Sequence, residues 1–383
     1  MNRQLIIFAM MLLTMKASAY SGNAEIGGLW YLIVTKANEA KVIKCQNGKY
    51  SGDIVIPSTV EYEGIVCDVK TFDGNAFSGC TGLTSVIIPD SITTIPNYAF
   101  DGCTGLTSVT IPSSVTSIGT AAFRNCISMS TVTIPNSVTD MGGSAFSGCK
   151  GLTSVMMLCN VTSIGWSVFE GCTGLTSITI PGSVTSIVNS AFNGCSSLIT
   201  VIIPSSVKTI NESAFANCPE LTDVYCYAEN VPSTSNYAFE GSYIDYATLH
   251  VPQTSVEKYK KYTPWKNFRN IVGLNGSSPE TQKCATPTIA FVDGKLKFSC
   301  ETEDVEYVSE VTSKEVKKYY SNEVTIGGTY TVSVYAMKTG FDNSDVATLE
   351  FTVGAGGEVC DVNKDGKVDV ADIATIISKM AGK

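Results

Sequence analysis

Cysteine returns every 23 residues along the middle of this 383-residue chain, at Cys80, Cys103, Cys126, Cys149, Cys172, Cys195 and Cys218. A fixed period of this size, held from Phe77 to Cys226, is the signature of a solenoid. Within one period, Leu83, Val86, Ile88, Ile92, Ile95, Ala99, Phe100 and Cys103 recur with few changes and are the expected buried set. Val86 and Ile88 alternate with Ser85 and Ile87, the pattern of a strand with one face inward. Pro89 then ends the strand because it has no N–H for a ladder. Tyr98–Phe100, followed by Asp101-Gly102, reads as a helical turn closing the coil. No single period buries enough apolar surface to offset the entropy of ordering it, so the coils must stack.

The strand-ending proline counts the rungs. It stands at Pro57, Pro89, Pro112, Pro135, Pro181, Pro204 and Pro252, with Leu158 and Tyr227 in the remaining two slots. The expected fold is therefore mainly β: a solenoid of about nine rungs with one parallel sheet, followed by smaller modules. Stacked strands hold neighbouring cysteines near disulfide distance, but with parallel Cβ vectors that suit the bond poorly. The seven periodic cysteines therefore read as buried thiols acting as small fillers, and Ser242 takes their slot in the last, degenerate coil. Cys45 and Cys67 lie off the beat and are a candidate pair.

Residues 1–19 read as an export signal, with Arg3, the apolar run Leu5–Leu13 and the small-x-small site Ala17-Ser18-Ala19. The run is too short to span a bilayer, no cysteine follows it to carry a lipid, and no membrane span is expected elsewhere. The expectation is a secreted or cell-surface protein. A net charge of -9, with no Lys/Arg cluster, argues against nucleic acid and lipid surfaces.

Residues 20–76 are the expected N-terminal cap and first rung. Short strands are expected at Leu29–Thr35, Lys41–Cys45 and Ile54–Pro57, with an Asn47-Gly48 turn. The repeats fill 77–226. Residues 227–274 carry Tyr237, Phe239, Tyr243, Tyr246, Tyr259, Tyr262, Trp265 and Phe268 and read as a C-terminal cap with a short helix at Val256–Tyr262. An aromatic binding patch is the other reading of that segment. A linker at 275–283 leads to alternating runs over 284–353, expected as a small antiparallel β-sandwich with Cys284 and Cys300 flanking its first hairpin. A second joint spans 354–359.

The repeat pattern Phe-x-Gly-Cys-x-x-Leu-x-x-Val-x-Ile-Pro-x-x-Val-x-x-Ile resembles BspA-like leucine-rich repeats, over Ile54 to Ile271. The resemblance implies a curved solenoid, often adhesive, whose sheet lines a concave face. Residues 284–353 resemble the immunoglobulin-like modules appended to such proteins.

Residues 360–383 hold a calcium-loop pattern. Oxygen ligands fall at Asp361, Asn363, Asp365, Asp369 and Asp372, with the Lys367 carbonyl between them and Gly366 at the sharp turn. Ile373, Ile376, Ile377 and Met380 place an apolar stripe behind it. The segment looks like half of a dockerin, which implies Ca²⁺ and a cohesin-like receptor. A dockerin normally carries two such loops, and this chain has one.

Catalysis finds little support. His250 is the only histidine, and no nucleophile, phosphate-loop or paired-carboxylate pattern accompanies it. A binding surface is the better reading. The outward strand positions include Met156, Ile202, Asp223, Tyr225 and His250, where apolar and aromatic groups replace the usual Ser/Thr, and a protein or glycan ligand is the expected partner. A passive spacer and a non-catalytic subunit of a polysaccharide-degrading assembly are the alternatives.

Overall fold

The computed structural model describes residues 21–46, 48–274, 286–292, 295–301, 306–313, 328–337 and 347–353. The export signal and the whole calcium loop, Asp361 to Asp372, lie outside the described residues, as do Asn47 and Cys284. The chain divides into two compact units, residues 1–276 and 277–383.

The first unit opens with a five-stranded sheet in the spatial order Ser21–Ile26, Leu29–Val34, Glu39–Val42, Ile65–Phe72, Thr59–Tyr62. Leu29, Tyr31 and Ile33 alternate inward, as the apolar pattern of that strand requires. Three strands of this cap escape the sequence reading, and the one expected at Lys41–Cys45 lies at Glu39–Val42. Thr59–Tyr62 and Ile65–Phe72 pair through a hairpin whose turn residues, Glu63 and Gly64, both adopt positive φ. The glutamate there hides the turn from a search for Asn-Gly or Asp-Gly. The expected Cys45–Cys67 disulfide is absent, and both thiols are free. Cys67 is enclosed in its strand opposite Val60, whereas Cys45 sits half-buried in the loop after Glu39–Val42.

Gly52–Val55 begins the solenoid. All nine expected strands are present, from Gly52–Val55 and Leu83–Ile87 to Asp223–Cys226 and Thr248–Pro252, paired parallel in a 23-residue register such as Ser85↔Ser108 and Ile87↔Thr110. The hydrogen-bonded ladder is not continuous. It breaks after Ser108–Thr110 and again after Ser154–Met157. A tenth parallel strand, Asn270–Leu274, closes the sheet beside Thr248–Pro252. The second apolar segments form two ladders of two-residue strands, one holding Thr94–Ile95, Ser117–Ile118 and Asp140–Met141, the other starting at Ser163–Ile164.

The third side of the coil corrects the expected helical turn. In six consecutive coils the residue before the Ala-Phe or Val-Phe pair has positive φ: Tyr98 57°, Ala121 52°, Ser144 58°, Ser167 54°, Ser190 59° and Ser213 56°. That conformation stops a helix. The N–H groups it would have used reach the next coil instead, Phe77 N to Ala99 O at 3.0 Å and Phe100 N to Ala122 O at 2.8 Å. A second left-handed position precedes each periodic cysteine. Gly102 fills it in one coil and Asn125 in the next, with φ of 71° and 59°.

The core runs the length of the stack. Phe77, Phe100, Phe123, Phe146, Phe169, Phe192, Phe215 and Phe239 form one column, with ring centroids 5.0 to 5.6 Å apart and planes within 13°. Phe72 closes the column at one end by edge contacts on Phe77 and Phe100. Trp265 and Phe268 meet Phe239 edge-on at the other. Beside the column, six cysteine thiols, from Cys103 to Cys218, donate to the phenylalanine carbonyl of the coil before, among them Cys103 to Phe77 at 3.0 Å, Cys149 to Phe123 at 3.1 Å and Cys195 to Phe169 at 3.2 Å. Ser242 makes the same bond to Phe215 O and accepts one from Cys218 N. The slot selects a small donor, not merely a small side chain.

The C-terminal cap uses half of its aromatics for cover. Tyr259, Trp265 and Phe268 are buried, and Trp265 Nε1 donates to Thr234 Oγ1. Tyr237, Tyr243, Tyr246 and Tyr262 remain exposed. The helix expected over Val256–Tyr262 ends at Tyr259.

In the second unit, Thr288–Val292 and Lys295–Ser299 form an antiparallel hairpin, and Glu306–Ser313, Gly328–Met337 and Ala347–Val353 form a three-stranded antiparallel sheet. All five strands lie within the alternating stretch 284–353.

Candidate binding face

The outward positions of the parallel sheet change character at its two ends. At the first end, Val55 and Ile87 lie side by side in register and are exposed. Next to them, Asp53 Oδ1 accepts from Thr84 Oγ1 at 2.7 Å and Ser85 Oγ at 2.6 Å. The hydrogen bonds from Ser85 and then Thr84 hold the Asp53 carboxyl below its ordinary range. Ser, Thr and Met fill the middle.

The other end is built around one contact. Register places Ile202, Tyr225, His250 and Val272 in a row on four consecutive strands. The Tyr225 and His250 rings stack at 4.2 Å with planes 7° apart. Diagonally, His250 Nε2 lies 2.9 Å from Asp223 Oδ1, while Thr222 Oγ1 donates to Asp223 Oδ2 at 2.8 Å. Partial burial, and then the Asp223 charge, push the Tyr225 phenol above its usual range. The imidazole is therefore held in place on its face by Tyr225 and on its edge by Asp223. Such a group can recognise a partner without first being ordered.

Three of the five residues expected to form the binding surface meet here: Asp223, Tyr225 and His250. Two do not behave as expected. Ile202 has the outward register but is only 8% exposed and lies outside the main core cluster. It stands in register with Thr179 and Tyr225, and a ladder of parallel strands leaves little room between neighbours on one face. Met156 is half-buried three coils away, across the break in the ladder. The row also gains a member the sequence reading omits. Val272 is exposed beside His250, because Asn270–Leu274 adds a strand after the repeats seem to end. The available signal is the 22-residue step from Thr248 to Asn270, one short of the period.

The profile described as BspA type leucine rich repeat region matches six copies, over residues 70–198 and 152–263, half of the chain. The chain belongs to the BspA type leucine rich repeat family. Among solved structures, a leucine-rich repeat protein from Bacteroides ovatus is similar at 20% identity, covering 67% of this chain and 77% of its own, with a TM-score of 0.47. One from Eubacterium ventriosum shares 22% identity over 49% of this chain and 58% of its own, with a TM-score of 0.42. The leucine rich repeat protein of T. pallidum shares 24% over 63% of this chain and 97% of its own, also at 0.42. No curated protein matches the chain.

In this BspA type solenoid, the chain's single histidine, His250, meets Asp223 on the outer sheet face. Tyr225 meets that imidazole ring to ring, not through its hydroxyl. Among the described residues, no group of three or more His, Cys, Asp and Glu side chains is placed to hold a metal, and no helix is long and apolar enough to cross a membrane.

Proposed function

We propose that the chain is a secreted or cell-surface binding protein whose sheet face, at the end built from Asp223, Tyr225 and His250, contacts a protein or glycan partner. The observation that carries this reading is the stacked Tyr225–His250 pair, fixed by Asp223 on the solvent side of a rigid sheet. Aromatic groups held in place on an exposed face are the usual anchors of an interface. Membership of a family of stacked, extended repeats is consistent with it, since such repeats present broad binding surfaces. The test is binding of the full chain to immobilised matrix proteins and to a glycan array. Tyr225→Ala should weaken capture about tenfold and leave Tm within about 2 °C. Equal capture by the variant sinks the reading and favours a passive spacer.

The tail is proposed to bind Ca²⁺ through Asp361, Asn363, Asp365, the Lys367 carbonyl, Asp369 and Asp372, on the strength of the ligand spacing alone. The proposed partner of this single loop is a cohesin-like receptor. Titration calorimetry of the full chain should show one calcium site of roughly micromolar affinity that Asp361→Ala with Asp365→Ala abolishes. A flat trace removes the metal from the account.

A further inference from the structure

The coil that contains Trp166 departs from its neighbours in a way that packing does not explain. One slot per coil, two residues before Ala-Phe or Val-Phe, holds Asn97, Thr120, Gly143, Trp166, Asn189 and Glu212 in successive coils. Backbone bonds fix the row: Tyr98 N to Thr120 O, Ala121 N to Gly143 O, Ser144 N to Trp166 O, Ser167 N to Asn189 O and Ser190 N to Glu212 O, at 2.8 to 3.1 Å. Every other occupant is small or polar. Trp166 is 59% exposed, so the core gains little from it.

Its position is nevertheless defined. A Cβ at Gly143 would lie 3.4 Å from Trp166 Cε3 and 3.8 Å from its Cβ. The indole therefore leans back over the backbone of the preceding coil at ordinary contact distance, while the tightest approach, 3.1 Å, is to the Trp166 carbonyl oxygen. On the opposite flank the row continues with the exposed amide of Asn189 and the exposed carboxylate of Glu212, at a strand spacing of about 4.8 Å per coil. The next residue in the chain, Ser167, carries the only buried side-chain polar atom among the described residues that lacks a hydrogen-bond partner. A coil selected for stability alone would carry neither the exposed indole nor the unanswered hydroxyl.

We propose that Trp166, with Asn189 and Glu212, forms a second binding site, for an uncharged polysaccharide. The indole offers a flat apolar face of the kind that takes the C–H side of a sugar ring. The amide supplies donors and an acceptor, and the carboxylate an acceptor, for hydroxyls on the units that follow along the row. The row contains no cation, and the chain carries a net charge of -9, so phosphate- or sulfate-bearing polymers are repelled. A single aromatic makes no cage for a quaternary ammonium ion.

The site lies on a different side of the coil from the Asp223–Tyr225–His250 face, so the two readings fail separately. The full chain is run through native gels containing soluble β-glucan, galactomannan, arabinoxylan or mannan, with heparin as the charged control. Retardation is expected in at least one of the uncharged polymers. Trp166→Asn introduces the residue that the same slot already holds at 97 and 189, so the coil keeps its fold, which circular dichroism checks. It should weaken retardation about tenfold, and Tyr225→Ala should leave it unchanged. Absence of retardation in every uncharged gel, retardation by heparin alone, equal retardation of Trp166→Asn, or loss in Tyr225→Ala would each overturn the proposal.

Discussion

Each periodic cysteine from Cys103 to Cys218 combines three roles in one small side chain: it fills space, donates a hydrogen bond across coils, and stays protonated. Burial pushes the thiols of Cys103, Cys149 and Cys218 up to about 12, and those of Cys126, Cys172 and Cys195 well above their ordinary value. The thiols are thus poor nucleophiles in the folded chain. The linkage has a definite sign. The unfolded chain releases these protons above pH about 9, while the folded chain keeps them, so folding holds its full stability below that pH and loses it as pH rises toward 12. Each such thiol contributes a slope of about 1.4 kcal/mol per pH unit in that window. Urea melts under reducing conditions should show stability falling steeply from pH 9 to 10.5. Cys149→Ser keeps the donor, as Ser242 does, and removes one ionising group. It should fold and show a shallower alkaline slope, and an unchanged slope would remove the thiol from the account.

The phenylalanine column is the element that turns separate coils into one body. Phe146 touches Phe123 at 5.3 Å and Phe169 at 5.6 Å, so its ring belongs to two interfaces at once. Phe146→Ala should cost about 3–5 kcal/mol, the range for losing a fully buried ring, and thermal melting of the full chain measures it. A loss below about 1 kcal/mol would mean that the coils are held by their backbone ladders alone. The elements differ in how plainly the sequence announces them. The slots of Leu83, Val86, Ile88 and Phe100 recur seven or more times with an apolar occupant, so their inward placing was legible from the period. The candidate face was legible in part: Tyr225 and His250 stand out against Ser and Thr, but their stacking, the Asp223 diagonal and the covering of Ile202 depend on which strands are neighbours. What the period could not convey lies where it lapses. The cap hairpin turns on Glu63-Gly64, the tenth strand arrives one residue early at Asn270, and the positive φ at Tyr98, Ala121 and Ser144 belongs to residues that do not advertise it.

At the scale of the whole molecule, stacked coils that touch only their neighbours should tolerate removal of whole periods and nothing else. Cys103-Thr104-Gly105-Leu106 and Cys172-Thr173-Gly174-Leu175 are the same four residue types three periods apart. Deleting residues 104–172 therefore rejoins the chain at an identical junction and sets the Phe100 ring against Phe192. It leaves both caps and the Asp223–Tyr225–His250 end untouched, and removes Trp166. The shortened protein should unfold in one cooperative transition at a lower temperature, because three interfaces are gone. It should keep whatever partner the sheet face captures and lose the retardation assigned to the indole row. A control that removes 104–161 moves every later inward residue out of register and should not fold at all. If both deletions collapse alike, the coils are not interchangeable units, and the column of rings is a by-product of packing, not its cause.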